Sequence, residues 1–411
     1  MAADAKPSLK PLLNLTVLVG ALGYFVDIFD LILFPIVRTQ SLTALGVPPD
    51  QILPTFLRIF NYQMAGMLVG GVLWGILGDR KGRMSVLFGS ITLYSVANLA
   101  NAFVTTIPEY AALRFIAGVG LSGELGAAIT LVSEVLPKEI RSYGTAVVAS
   151  VGITGALFAD FIGNVMSWQG AFIVGGVMGL LLLVLRIKVT DSGMFKELAN
   201  KNVSRGDFRM LFTRWPRFLR YLRSILIGVP IWYVVAILVA SSPELARSLG
   251  VAGAVNPGHA IASCYLGLAV GDLSSGIISQ WLASRKRTVL LFQGLTLATV
   301  LLTLSSHGVS ARTYYLLCVA LGFSAGYWAV FVTIASEQFG TNLRATVTVT
   351  VPNFVRGAVV PITTGFLALK AQLGIVQSAL VIGLGCLALA VLSLWGMEET
   401  HARDLDFLEQ D

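Results

Sequence analysis

Several ionisable side chains lie where charge is expensive. Asp27, Asp30, Glu124, Asp160 and Asp272, together with Arg114 and Arg356, fall inside long apolar runs. An ionisable group at mid-bilayer costs about 2.5–3.5 kcal/mol on insertion scales, so it is retained for an ion, a proton or a charged solute. Asp27 and Asp30 are three residues apart and share one face of a helix. At 1.5 Å per residue Asp27 stands roughly 22 Å above the inner end of its span. The next span but two runs inward and brings Arg114 about 5 Å below the outer edge of a ~30 Å core. The three groups therefore share a depth, and two acids compete for one cation. A carboxylate whose protonation responds to access and to a neighbouring cation is what proton coupling requires; the alternative is a buried ion pair that fixes two helices. Arg356 follows Asn353 by three residues, between Pro352 and Pro361. Prolines there free backbone carbonyls, which need a neighbour or a watered cavity. An arginine beside such a cavity can grip a carboxylate with two parallel N–H donors; alternatively it neutralises Asp272 or Glu124. Arg356, Asn353 and Glu124 are the polar candidates for binding a solute.

The elements that position these groups are membrane spans. Of 411 residues, 55% are hydrophobic and 12% charged, against about 25% charged in soluble proteins, and the mean hydropathy is +0.79. Too little charge is present to cover a soluble surface, which excludes a soluble enzyme, a disordered chain and a nucleic-acid binder. Spans of about 20 apolar residues are read at 12–37, 53–78, 84–104, 111–135, 142–166, 170–187, 218–241, 258–282, 288–306, 313–335, 345–369 and 374–396. The polar stretch 188–217 divides them six and six. The expected fold is an all-α membrane protein: a bundle over 1–187, a cytoplasmic loop over 188–217, a second bundle over 218–397 and a tail over 398–411.

Basic residues orient the chain. With both termini in the cytoplasm, the outer side receives Arg38, Arg58, Arg247, Arg312 and Lys370, and most of the 29 lysines and arginines fall inside. The net charge of +7 is thus a topology signal. Phe208, Met210, Leu211, Phe212 and Trp215 alternate with Arg209, Arg214, Arg217 and Arg220, which predicts an amphipathic helix on the anionic inner leaflet. Cys264, Cys318 and Cys386 lie unpaired in apolar runs, so neither disulfide nor zinc site is expected. No metal or cofactor is expected. The N-terminus lacks a cleavage site and reads as a retained first span.

The halves echo one another. Ser133-Glu134 precedes Arg141 after span four; Ser336-Glu337 precedes Arg344 at the same spacing after span ten. Arg80-Lys81-Gly82-Arg83 after span two is matched by Arg285-Lys286-Arg287 after span eight. Two repeats about an axis along the membrane normal are a transporter architecture.

Gly75-Ile-Leu77-Gly78-Asp79-Arg80-Lys81-Gly82-Arg83 resembles the Gly-x-Leu-x-Asp-Arg-x-Gly-Arg signature of the major facilitator superfamily. Arg114-Phe-Ile-Ala-Gly118-Val-Gly120-Leu-Ser-Gly123 and Glu399-Thr400-His-Ala-Arg403-Asp-Leu405 are similar to stretches of its sugar porters and metabolite:proton symporters, with Ala402 in place of glycine. In the second half Ser284 stands beside Arg285 where the signature aspartate is missing. The resemblance implies an inner gate of Asp79, Arg80, Arg83, Glu134, Arg141, Glu337 and Arg344, charges that pair across the halves at the cytoplasmic mouth. It also implies a coupling group of Asp27, Asp30 and Arg114, and a cavity reached by Trp232, Tyr233, Tyr327 and Trp328, which could equally be helix packing.

Two rival classes are weighed. Gly120-Leu121-Ser122-Gly123 matches a rhomboid-protease motif, but His259, His307 and His401 lie at an edge, in a loop and in the tail, so no base is at hand. A proton-coupled drug antiporter would carry proline in span five, where Gly152-Ile-Thr-Gly155 has none. The expectation is a monomeric secondary transporter, embedded among lipids of a bacterial-type inner membrane, that moves a small polar solute with protons by alternating access. An organic acid is favoured and a sugar is next.

Overall fold

The computed structural model describes residues 14–81, 83–124, 136, 141–187, 208–401 and 409. Among the described residues the chain is helical almost throughout and forms no strand; an isolated backbone bridge joins Ala252 to Ser310. The first helices are α1 (Leu15–Ala44), α2 (Ile52–Lys81), α3 (Arg83–Asn101), α4 (Ile107–Leu121), α5 (Arg141–Val165) and α6 (Trp168–Arg186). After residue 207 come α7 (Met210–Thr213), α8 (Trp215–Leu226), α9 (Val229–Tyr233) with a π-helical turn over Val234–Val239, and α10 (Ser242–Ser248). The series ends with α11 (Pro257–Trp281), α12 (Arg285–Ser305), α13 (Ala311–Ala325), α14 (Trp328–Glu337), α15 (Thr341–Gly357) and α16 (Val359–Trp395). α16 is two helices in line, broken at Gly374 by a φ of 78°, where the sequence starts its twelfth span.

Among the described residues eight helical stretches are long and apolar enough to cross a membrane. Others fall short for local reasons: α4 has 15 residues, and the expected span 111–135 passes beyond the described residues at position 124. Helices before residue 188 pack chiefly on one another, as do those after 208. The two groups meet through α2 against α15 and α5 against α11.

Glycine permits the closest approaches, as expected where packing rather than water drives helix association. A Cβ on Gly118 of α4 would lie 2.1 Å from the Gln63 carbonyl of α2, and one on Gly322 of α13 would lie 1.9 Å from the Cys264 carbonyl of α11. The same device thus joins the second and fourth helices of each half. Helix starts are capped from sequence: the Thr106 hydroxyl accepts from the Glu109 N–H, and Glu109 accepts in return from the Thr105 and Thr106 N–H groups. The Thr105 N–H is the largest of the influences holding the Glu109 carboxyl below its ordinary range.

One sequence expectation shifts. α1 continues to Ala44, so Arg38 lies within the helix and is fully buried rather than in an outer loop. The described part of the expected amphipathic segment is α7 and α8. Met210, Leu211 and Arg217 are buried, Arg220 donates to the Gln338 carbonyl at 2.9 Å, and Arg217 and Arg220 both reach Glu409. These arginines contact protein. Residues 188–207 lie outside the described residues.

Candidate functional site

Two broken helices open the centre of the bundle. Pro230 has no N–H, and the Ile231 N–H turns back to the Gly228 carbonyl, which leaves the Ile227 carbonyl without a helical partner. The Tyr327 hydroxyl donates to it at 3.1 Å and the Gln293 amide at 3.4 Å. The second break, between α13 and α14, falls at Gly326, where a Cβ would lie 2.6 Å from the Gly271 Cα. The first turn of α14 is satisfied by Asp272, whose carboxylate accepts from the Ala329 N–H at 3.1 Å.

Between these breaks lies a cavity of about 60 Å³, lined by Tyr24, Tyr265, Trp232, Trp328, Asp272 and Arg356 among apolar neighbours. That holds a few waters; a ring-sized solute needs the lining helices to part. The Arg356 guanidinium lies 5.8 Å from the Trp232 ring centre and 5.5 Å from that of Trp328. Nη1 donates to Asn353 Oδ1 at 3.3 Å, and Nε has no partner among the described residues. A guanidinium held over two indoles with donors to spare has the chemistry to receive a carboxylate between aromatic walls.

Of the four aromatic candidates, Trp232 and Trp328 line the cavity and the two tyrosines do not. Tyr327 serves the Ile227 carbonyl, and Tyr233 donates to the Ala379 carbonyl at 2.7 Å. Tyr24 and Tyr265 were missed, although Tyr24 is one turn before Asp27. Asn353 bridges the two helix groups, donating to the Ser122 carbonyl at 3.0 Å.

The acids of α1 part company. Asp27 lies in the field of Arg356 from the opposite helix group, ahead of Glu124 and Arg186, whereas Asp30 faces Arg114 and Asn98. Both are fully buried, and their oxygens make no hydrogen bond among the described residues. Gly175 leaves the room Asp30 needs, since a Cβ there would lie 2.2 Å from Oδ1. The expected Asp–Arg114 ion pair is not formed. Arg114 is held instead by the side-chain carbonyls of Asn98 and Asn101, at 3.2 Å for Asn101, with its guanidinium 4.7 Å from the Phe172 ring centre.

Glu124 does not reach the cavity. It forms a fully buried bidentate pair with Arg186, which also donates to the Leu87 carbonyl. Removing one member of a buried pair strands the other and costs about 3–5 kcal/mol. Glu124→Gln is therefore expected to lower the melting temperature of the purified protein in detergent sharply. An unchanged melting temperature would return Glu124 to the list of solute ligands.

Polar pairs cross the two helix groups at one end of the cavity. At the end remote from the termini Arg38 pairs with Glu244 at 2.5 Å, His259 Nδ1 meets Asp160 at 2.8 Å, and Asn256 donates to Asn164 at 2.8 Å, each across the two groups. Beyond these lies a vestibule of about 820 Å³ lined in part by Gln40, Asp50, Arg247 and Lys370. At the other end Glu337 pairs with Arg285 at 2.7 Å, inside its own half rather than across the halves. Glu399 is partly buried, which opposes ionisation, but it accepts from Ser284, the His401 N–H and the Arg285 and Lys286 N–H groups. Together these hold its carboxyl below the ordinary range. Arg344 lies in α15. The side chains of Asp79, Arg80, Arg83 and Arg141, and all of Glu134, lie outside the described residues.

The sequence profile of the Major Facilitator Superfamily matches residues 20–351. The chain belongs to the major facilitator superfamily. It is accordingly an integral multi-pass membrane protein of the bacterial inner-membrane type, and a transporter rather than an enzyme. Among superfamily relatives, a 3-(3-hydroxy-phenyl)propionate transporter of Escherichia coli (strain K12) is 30% identical over 70% of this chain and 71% of its own. A niacin transporter of Acinetobacter baylyi is 25% identical over 80% of each. A crystal structure of a D-xylose-proton symporter shares the fold with a TM-score of 0.70, at 17% identity, over 94% of this chain and 98% of that one.

Proposed function

We propose that this transporter is a proton symporter of aromatic carboxylates that works by alternating access. The observation that carries the reading is the placement of Arg356 over Trp232 and Trp328 in the central cavity, with Asp27 in its field. A carboxylate takes the guanidinium fork while its ring lies against the indoles, in place of the weaker polar contacts a sugar would need. Two relatives whose named solutes are aromatic acids support the choice.

The chain is read as twelve spans with both termini cytoplasmic: bundles over 1–187 and 218–397, joined by 188–217, with a tail over 398–411. The vestibule then opens outward. A solute anion that takes Arg356 removes the cation from Asp27, which binds a proton in its place, so solute and proton occupy the centre together. The Arg38–Glu244 pair, closed in the structure, opens to admit the solute and re-forms behind it, and opening of the cytoplasmic end completes the inward step. The protein acts as a monomer, since each part of this cycle lies within one chain.

Proteoliposomes with an acidic exterior should take up 3-(3-hydroxyphenyl)propionate faster than protein-free vesicles, which report leakage of the neutral acid. The protonophore-treated sample should lose the excess. Uptake of xylose but of no aromatic acid would overturn the reading.

A further inference from the structure

We infer that Asp272 is a specificity-determining residue that reads the ring substituent opposite the carboxylate and selects solutes carrying a hydrogen-bond donor there. The inference rests on the aromatic-carboxylate reading above and narrows it to hydroxylated rings. Asp272 and Arg356 line the same cavity and are set apart by Trp328: Arg356 lies at its indole, and Asp272 at the backbone N–H of the next residue. In the proposed pose the ring lies along Trp328, with its carboxylate on Arg356 and its far end at Asp272. No ion pair to Asp272 is formed among the described residues; its carboxylate accepts from backbone N–H groups at the start of α14, those of Ala329 and Trp328, and has lone pairs beyond these two.

The cavity lining therefore carries two unlike polar groups. One offers donors to an anion, and the other offers acceptor lone pairs. A phenolic hydroxyl at the far end donates to the carboxylate in a charge-assisted bond. An unsubstituted ring leaves the carboxylate without that bond, and a ring nitrogen with a lone pair turns an acceptor toward an acceptor. A polar site of this kind rejects the analogue that lacks its partner more strongly than an apolar pocket rejects a surplus group. Of the two named solutes among the relatives, the hydroxyphenyl acid fits this polarity and niacin does not.

Competition against uptake of labelled 4-hydroxybenzoate into proteoliposomes tests it. Unlabelled 3- and 4-hydroxybenzoate should compete at least about tenfold more strongly than benzoate or nicotinate. Asp272→Asn, which keeps an oxygen for the Ala329 N–H, should shrink that spread to about twofold, and Asp272→Glu should keep most of it. If Asp272→Asn does not transport, quenching of the cavity tryptophans by the same four acids in detergent gives the spread directly. Equal competition by all four acids in the wild type overturns the inference while leaving the aromatic-carboxylate reading intact. So does a spread that persists in Asp272→Asn, or a variant that loses only proton dependence. Absence of uptake for every acid overturns both.

Discussion

Arg356→Gln should reduce uptake of aromatic carboxylates by on the order of 100-fold or more, with the protein still folding to normal yield. Arg356 is nearly buried, and its described partners are one neutral amide and two indole faces. A bound carboxylate would be the only ligand to use the rest of its donors. Loss of a desolvated charge partner from a binding site costs about 2–5 kcal/mol, and each 1.4 kcal/mol is tenfold in affinity. Little stability is at stake, because glutamine can still donate to Asn353 and no buried acid is hydrogen-bonded to Arg356. Arg356→Lys keeps the charge and loses the fork, so it should fall between wild type and Arg356→Gln. Initial rates of uptake, with thermal melting in detergent run alongside, separate the cases. Full activity in Arg356→Gln would end the carboxylate assignment, and parallel loss of melting temperature would make Arg356 structural.

Much of this site can be read from the sequence, because its residues violate the rule of the bilayer. Arg356 among prolines, tryptophan beside Pro230 and beside Gly326, and paired acids in the first span stand out against apolar surroundings. The Gly374 break is legible too, as the boundary between the eleventh and twelfth expected spans. Partnerships are less legible. Asn98 and Asn101 hold Arg114 from α3, 13 to 16 residues away in sequence, and no spacing rule marks an asparagine as an arginine's partner. Arg186 ends α6 and reads as a topological charge, yet it turns inward to Glu124. Arg38 reads as the end of a span because it is charged; the helix simply carries it on into a buried pair with Glu244. Asp27 and Asp30 do share a helix face, but three residues turn the direction by about 60°. At the seam between two bundles that is enough to set one acid in the field of Arg356 and the other in that of Arg114.

Their separation yields the sharpest functional contrast. Asp27→Asn should abolish accumulation against a gradient while solute exchange across the membrane continues. In the proposed cycle Arg356 attracts either Asp27 or the solute anion, and only an ionisable Asp27 converts that exchange into proton uptake. Asparagine fills the same volume and stays neutral, so the cavity keeps its shape and loses its coupling. A pH gradient of one unit is worth about 1.4 kcal/mol per proton and sustains roughly tenfold accumulation of solute in the wild type; in Asp27→Asn the ratio should settle near that of protein-free vesicles. Counterflow of labelled acid, which needs no net proton movement, should persist at a comparable rate. Asp30 has no such exchange of partners, for Arg114 is already held by two amides. Lying between the vestibule and Asp27 along α1, it can relay the proton without setting the stoichiometry. Asp30→Asn should therefore slow the approach to the plateau and leave the plateau where it was. The paired measurement is the final accumulation ratio against the initial rate, at the same imposed gradient. Undiminished accumulation in Asp27→Asn would remove it from the coupling step, and a collapsed plateau in Asp30→Asn would move that step to the Arg114 side of the helix.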